Sequence, residues 1–215
     1  MIVFAVENST EGIYSALYQS FVLKIKPHKL VDKDKFQPAF DEVVYNVSAT
    51  DTQRNRVKTA LQKYAGEQFF KDMRDCFLSN CYDLLSVAFR YGYQTLKERK
   101  SVIRYLVNDN VYPFVSAIRA VKSETEKQFN GLQFFRNRKG VNTATFTPLY
   151  DITELIAPLL FEKYKDKPFI VKDLKHEKIA MSDGHKIFIG KKEKGKIGYL
   201  CYSQLEFLSA YEKLQ

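Results

Sequence analysis

ETEKQFNGLQFFRNRKGVNTATFTPLYDITELIAPLLFEKYKDKPFIVKDLKHEKIAMSDG, from Glu124 to Gly184, is the stretch whose reading decides the fold. It opens as a charged amphipathic segment around Phe129 and breaks at Asn130-Gly131. An aromatic strand, Leu132-Gln133-Phe134-Phe135, leads into a basic turn, Arg136-Asn137-Arg138-Lys139-Gly140. A second strand covers Asn142 to Thr147 and stops at Pro148. Ile152, Leu155, Ile156, Leu159 and Leu160 then recur at helical spacing. Strands around Ile170 and Ile179 follow, and Asp183-Gly184 is a hairpin turn signal.

Upstream, the apolar run Ile2 to Val6 is a first strand, and Asn8, Ser9 or Thr10 caps a helix ending before Pro27. Lys29 to Asp41 is a polar loop and Val43 to Val47 a second strand. From Thr50 onward apolar residues recur at helical spacing in five segments, including a short one at Val102–Val107 and a long one at Val111–Phe129. After Lys186–Ile189, the basic run Gly190 to Lys196 is a loop, Ile197 to Tyr202 a strand, and Ser203 caps a last helix. The expectation is a single α+β domain, with a helical block packed on a mostly antiparallel sheet. Residues 1–48 form a strand-helix-strand opening and 49–130 the helical block. Residues 131–202 form the sheet with one helix, and 203–215 a terminal helix.

At 45% hydrophobic and 27% charged residues, the chain has the composition of a folded globular protein and excludes a disordered one. No apolar run approaches the roughly 18 residues that a membrane span needs, and three cysteines suit a reducing compartment. Cytoplasmic localisation and no membrane partner are therefore expected. The net charge of +9 is uneven: residues 1–50 carry −1, residues 51–100 and 101–150 carry +4 each, and residues 151–215 carry +2. Such a surface attracts phosphate backbones.

Catalytic motifs are absent. Cys76 and Cys81 have no second pair of Cys or His ligands, Cys201 is distant, and His28, His176 and His185 are scattered. Zinc sites need four clustered donors, so no metal, cofactor or catalytic residue is expected. An enzyme would need convergent polar groups, for which Asn8, Glu11, Asp173 and Asp183 are the candidates. Nucleic-acid binding has more in its favour. Phe134 and Phe135 are candidates to stack on bases beside Arg136, Arg138 and Lys139, which would hold phosphates. Lys186, Lys191, Lys192, Lys194 and Lys196 form a second basic loop.

Met1-Ile2-Val3-Phe4, Asn8 to Ile13, Gly131 to Phe135, Thr147-Pro148, Ile156 to Leu160, Pro168 to Asp173 and Asp183-Gly184 stand in this order along the chain. In that sequence and spacing they resemble a bacterial family of uncharacterised DNA-metabolism proteins, a domain of unknown function. Its genes lie beside a radical-SAM protein, and it occurs fused to a uracil-DNA glycosylase superfamily domain. The resemblance implies a non-catalytic, nucleic-acid-binding accessory protein of DNA repair or modification, with DNA as the expected nucleic-acid partner. Two alternatives stay open: an adaptor for the radical-SAM or glycosylase partner, and a DNA-processing enzyme. Family members continue into a basic, aromatic tail, and this sequence lacks it, ending at Gln215. The resemblance supplies no catalytic residues.

Overall fold

A computed structural model describes residues 1–165, 167–193, 196–199 and 214. Among these are six helices and two sheets, an α+β fold. The chain divides into two compact units, Met1–Ala120 and Val121–Gln215. No described helix is long and apolar enough to cross a membrane.

In the first unit β1 (Ile2–Val6) is the middle of a three-stranded parallel sheet, flanked by β2 (Lys29–Asp32) and β3 (Val43–Asn46). A continuous apolar run suits this place, because a parallel strand covered on both faces has no solvent side to alternate with. Helix α1 (Thr10–Leu23) is capped by Ser9, whose Oγ accepts from the Gly12 N–H at 3.1 Å. Helix α2 (Asp51–Ala65) begins in a capping box: Thr50 Oγ1 accepts from Gln53 N–H, and Gln53 Oε1 accepts from Thr50 N–H. Then come α3 (Glu67–Leu78), α4 (Leu84–Glu98) and α5 (Tyr112–Gly131), which begins in this unit. The core is aromatic at its centre, where the Tyr91 ring lies between Phe69 (5.3 Å) and Phe114 (3.9 Å), both near parallel to it.

Two expectations for this unit are corrected. Lys29–Asp32 is a strand, not part of a polar loop. It carries one fully buried apolar residue, Leu30, so its strand state comes from parallel pairing with β1 and from Ser86 Oγ, which accepts from the Leu30 N–H at 2.8 Å. Val102–Val107 is not a helix. It is a series of tight turns, with Tyr105 N–H bonding Val102 C=O and Asn108 N–H bonding Tyr105 C=O. Its β-branched residues and a following Asn-Asp pair favour local turns over a fourth-residue ladder.

The second unit is built on a six-stranded sheet in chain order: β4 (Phe135–Arg136), β5 (Asn142–Phe146), β6 (Phe169–Asp173), β7 (Lys178–Ser182), β8 (Ile187–Glu193) and β9 (Lys196–Tyr199). All pairings are antiparallel except β5–β6, which is parallel and spanned by α6 (Thr153–Tyr164). One face packs Ala180 and Ile189 on Ala157 of α6. The other gathers Val141, Ile170, Met181, Phe188 and Leu214. Strand β7 is buried along its whole length.

The aromatic strand is shorter than expected, since α5 continues to Gly131 and pairing begins only at Phe135. The basic run is also corrected from loop to ladder. Lys191 pairs with Lys178 and Lys192 with Ile197, because β7 and β9 supply the bonds that extend the strand. Lys194, Gly195 and the terminal helix, apart from Leu214, lie outside the described residues.

One contact here predicts an acid response. Glu124 Oε1 accepts from the Leu149 N–H at 2.8 Å and from Gln128 Nε2 at 2.9 Å. Partial burial opposes ionisation, but these bonds outweigh it and hold the carboxyl below its ordinary value of 4.5. A depressed folded value stabilises fully above the unfolded one and is lost as pH falls through the folded one. Urea titrations at pH 7 and at pH 3 should therefore show a larger acid-induced loss for wild type than for Glu124→Gln. Equal losses would refute the assignment.

Candidate functional site

The β4–β5 turn is held by Asn137. Its Oδ1 accepts from the backbone N–H groups of Lys139 (3.0 Å) and Val141 (2.9 Å), and Gly140 takes a positive φ of 77° that glycine adopts without strain. Arg136, Arg138 and Lys139 are exposed or half-exposed around this rigid turn. Among the described residues neither Arg136 nor Arg138 has an ion-pair partner. The two phenylalanines part company. Phe134 is packed with its ring 4.9 Å from that of Tyr164, which leans on Phe169, so it belongs to an aromatic cluster. Phe135 is 70% exposed.

Strand register decides which cations come together. Arg136 pairs with Asn142, Asn142 with Phe169, Phe169 with Ser182, and Ser182 with Ile187. This row runs along one end of the sheet, so the β4–β5 turn and the exposed Lys186 of the β7–β8 turn leave from the same end. Asp183 shapes that second turn, its Oδ1 accepting from the N–H groups of His185 (2.8 Å) and Lys186 (2.9 Å). Burial opposes its ionisation, but those bonds outweigh it and keep the carboxyl low. Lys191 is further along β8 and pairs with Lys178, so it lies about 17 Å from Lys186 along the strand. Lys192 and Lys196 pair beyond it in β8 and β9, and Lys194 is outside the described residues. The expected second basic loop is thus divided between the two ends of the sheet.

The four acids and amides expected to line a pocket do not converge. Asn8 and Glu11 are in the first unit, where Glu11 is bound by Lys58 (2.6 Å) and Arg54 (3.3 Å). Asn8 lines a hollow of about 310 Å³ there with Asp32, Lys35 and Asp83. Asp173 and Asp183 stand at opposite ends of the β6–β7 pair.

Asp173 instead anchors a cluster that sequence reasoning missed. It sits where β6 ends, beside the start of α6, with its side chain fully buried and four donors on it. Oδ2 accepts from Thr153 Oγ1 (3.0 Å) and His176 Nδ1 (2.8 Å), and Oδ1 from the N–H groups of Lys175 and His176, both 3.0 Å. Lys178 reaches Asp151 at 2.8 Å and Glu154 at 3.1 Å. Burial disfavours its charge, but the two carboxylates outweigh that and raise its pKa. The only signal in the sequence was strand-helix-strand: a parallel β5–α6–β6 crossover brings the helix start to the carboxyl end of β6.

A carboxylate fixing a histidine Nδ1 is the arrangement that orients a general base. Asp151, Asp173 and His176 also offer three donor atoms within 4.8 Å of one another, a set that divalent cations use. The neighbours do not suit a cation. The Lys178 ammonium already lies against Asp151, and Asp173 is saturated with donors. The cluster is an ion-pair and hydrogen-bond network tying the β6–β7 turn to α6, in which the buried Asp151 Oδ1 has no hydrogen-bond partner. Cys76 and Cys81, in the first unit, have thiols pushed up by burial and do not offer ready thiolate ligands. Cys201 lies outside the described residues.

The fold and its exposed basic turn define an α+β protein whose sheet unit presents cations and an exposed aromatic ring at one end. Residues 82–213 match the family model of a domain of unknown function, DUF4130, and the chain belongs to that family. No curated protein matches the chain. Among solved structures, a DHH domain of a protein described as belonging to a family of ribosomal proteins is 13% identical, with a TM-score of 0.25 over 99% of this chain and 69% of that one.

Proposed function

We propose that this DUF4130 protein is a non-catalytic, nucleic-acid-binding accessory protein of DNA repair or modification, and that the β4–β5 turn is where it meets nucleic acid. The observation that carries this reading is the exposed Phe135 beside Arg136, Arg138 and Lys139 on a turn locked by Asn137. A rigid turn lowers the entropy lost when its cations engage phosphates. Lys186, leaving from the same end of the sheet, extends the cationic surface. Phe135 offers a ring face to an unpaired base, so single strands are preferred over duplex. The protein acts in the cytoplasm beside a radical-SAM protein or a uracil-DNA glycosylase superfamily protein, as the family resemblance implies.

Fluorescence anisotropy with labelled single- and double-stranded DNA, titrated with salt, tests this. Affinity should fall linearly in log–log proportion to salt. Changing Arg136, Arg138 and Lys139 together to Ala should make the single-strand slope shallower by about two, since each lost phosphate contact removes about 0.7. Phe135→Ala should weaken single-strand binding by about 1–3 kcal/mol and leave duplex binding nearly unchanged. No binding at low salt, or an unchanged slope in the triple variant, would overturn the reading.

A further inference from the structure

The first unit carries a surface that the basic turn does not explain. Helices α1, α2 and α4 pack on one another and leave a groove of about 390 Å³ between them. Its lining includes Tyr18 and Val22 of α1, Val57 and Ala60 of α2, and Leu96 of α4. At the end of α1, Phe21, Val22 and Leu23 are 45, 57 and 43% exposed, three consecutive apolar residues in a helix of a charged protein. Phe21 is pinned rather than loose, its ring stacked on Tyr93 at 5.1 Å and 17°. Phe21 and Val22 also line the groove, so exposed apolar side chains lead into it.

The charges choose the occupant. The two charged residues lining the groove are Arg56 and Arg99. No acid occurs from Gly12 to Val31, from Thr52 to Gly66, or from Leu84 to Lys97, while the α2 and α4 stretches carry Arg54, Arg56, Lys58, Lys63, Arg90 and Lys97. The acids at the helix starts are already engaged: Glu11 is bound by Lys58 and Arg54, and Asp51 by Arg54. The acid at the end of α4, Glu98, accepts from Gln94. An apolar floor with an unopposed cationic rim fits an apolar, anionic partner. A second copy of this chain does not fit, because at +9 it would bring like charge to the rim. Nucleic acid fits poorly as well. Phe21 is already stacked on Tyr93, and although Tyr18, Tyr64, Arg56 and Arg99 also line the groove, its floor of Val22, Val57, Ala60 and Leu96 is aliphatic and matches apolar side chains better than bases.

We propose that the groove between α1, α2 and α4 is a docking site for an acidic amphipathic helix of a partner protein. Apolar side chains at helical spacing enter the floor, and flanking carboxylates meet the guanidinium groups of Arg56 and Arg99, which can bind them in bidentate fashion. The inference concerns the first unit and stands apart from the nucleic-acid reading of the second.

The probe is a fluorescein-labelled designed peptide about five helical turns long, with leucines on one helical face and glutamates flanking them. It is compared with a scrambled peptide of the same composition and with a version carrying Lys for each Glu. The full chain should bind the first and neither control. Peptide-induced methyl shifts should centre on Val22, Val57 and Leu96. Arg56→Glu with Arg99→Glu should weaken binding roughly tenfold or more. Ala60→Trp, which fills the floor, should abolish it. The surface arginine pair keeps the test decisive should Ala60→Trp impair folding. Equal binding of the scrambled peptide, or shifts away from the groove, would overturn the proposal. So would unchanged affinity in the arginine variant, or labelled single-stranded DNA losing affinity in that variant while the peptide does not.

Discussion

Gly12→Ala is expected to lower the stability of the protein by about 3 kcal/mol or more, a cost at the upper end of overpacking. A Cβ at position 12 would stand far inside the contact limit of the Glu7 carbonyl oxygen, with the Glu7 carbonyl carbon at 3.0 Å and its nitrogen at 3.2 Å. These are backbone atoms and cannot rotate aside. The Glu7 oxygen also accepts from the Ser9 N–H at 2.8 Å, and Ser9 caps α1 through the Gly12 N–H. Relieving the clash would therefore break both the turn after β1 and the cap of the helix that follows. Gly92→Ala is the control. Its Cβ would meet Leu17 Cδ1 at 2.9 Å, the far end of a side chain that can shift, and the helix gains from losing a glycine. It should cost less than about 1 kcal/mol. Chemical denaturation followed by circular dichroism separates the two. A Gly12→Ala protein as stable as Gly92→Ala would show that β1 and α1 do not approach as closely as described.

Asp173→Ala should cost about 3 kcal/mol, from a different cause. The substitution leaves buried Thr153 Oγ1 without its acceptor and strands the N–H groups of Lys175 and His176, and each orphaned group carries a desolvation penalty of about 1–3 kcal/mol. Asp173→Asn retains an acceptor for the two backbone groups and should cost nearer about 1 kcal/mol. The ranking of the pair matters more than either value. If both variants unfolded at the wild-type midpoint, the cluster would not be tying the β6–β7 turn to α6, and its reading as a structural network would fail.

Much of the fold is legible in the sequence alone. Asn8, Ser9 and Thr10 together announce a helix start because a short polar side chain beside an apolar-periodic run has few better uses, and the structure selects Ser9. Asn142–Phe146, Thr153–Tyr164 and the Asp183-Gly184 turn fall where periodicity and turn chemistry put them, with ends shifted by a residue or so. The short elements mislead. Leu30 alone does not identify a strand, and Val102–Val107 carries helical-looking apolar residues that local turns absorb. Gly190–Glu193, rich in lysine, looks like a loop because its strand state depends on pairing with β7 and β9, which local composition does not record.

The site divides along the same line. Arg136, Arg138 and Lys139 are identifiable from their run beside a glycine, but nothing local separates Phe134, claimed by Tyr164, from Phe135, left in solvent. Asp151, Glu154, His176 and Lys178 escape notice because they are spread along a helix start and a distant hairpin, with no spacing that marks them as neighbours.

By itself, then, the sequence determined the α+β class, most helix and strand positions and the location of the basic excess. Only the tertiary structure decided that three strands pair in parallel apart from the other six. It also decided that Lys186 shares a sheet end with Arg136 while Lys191 does not, and that Asp173 belongs with His176 and Thr153 rather than with Asp183. The physical reason is that side-chain periodicity records which face of an element is buried, whereas strand order and register depend on partners distant in the chain.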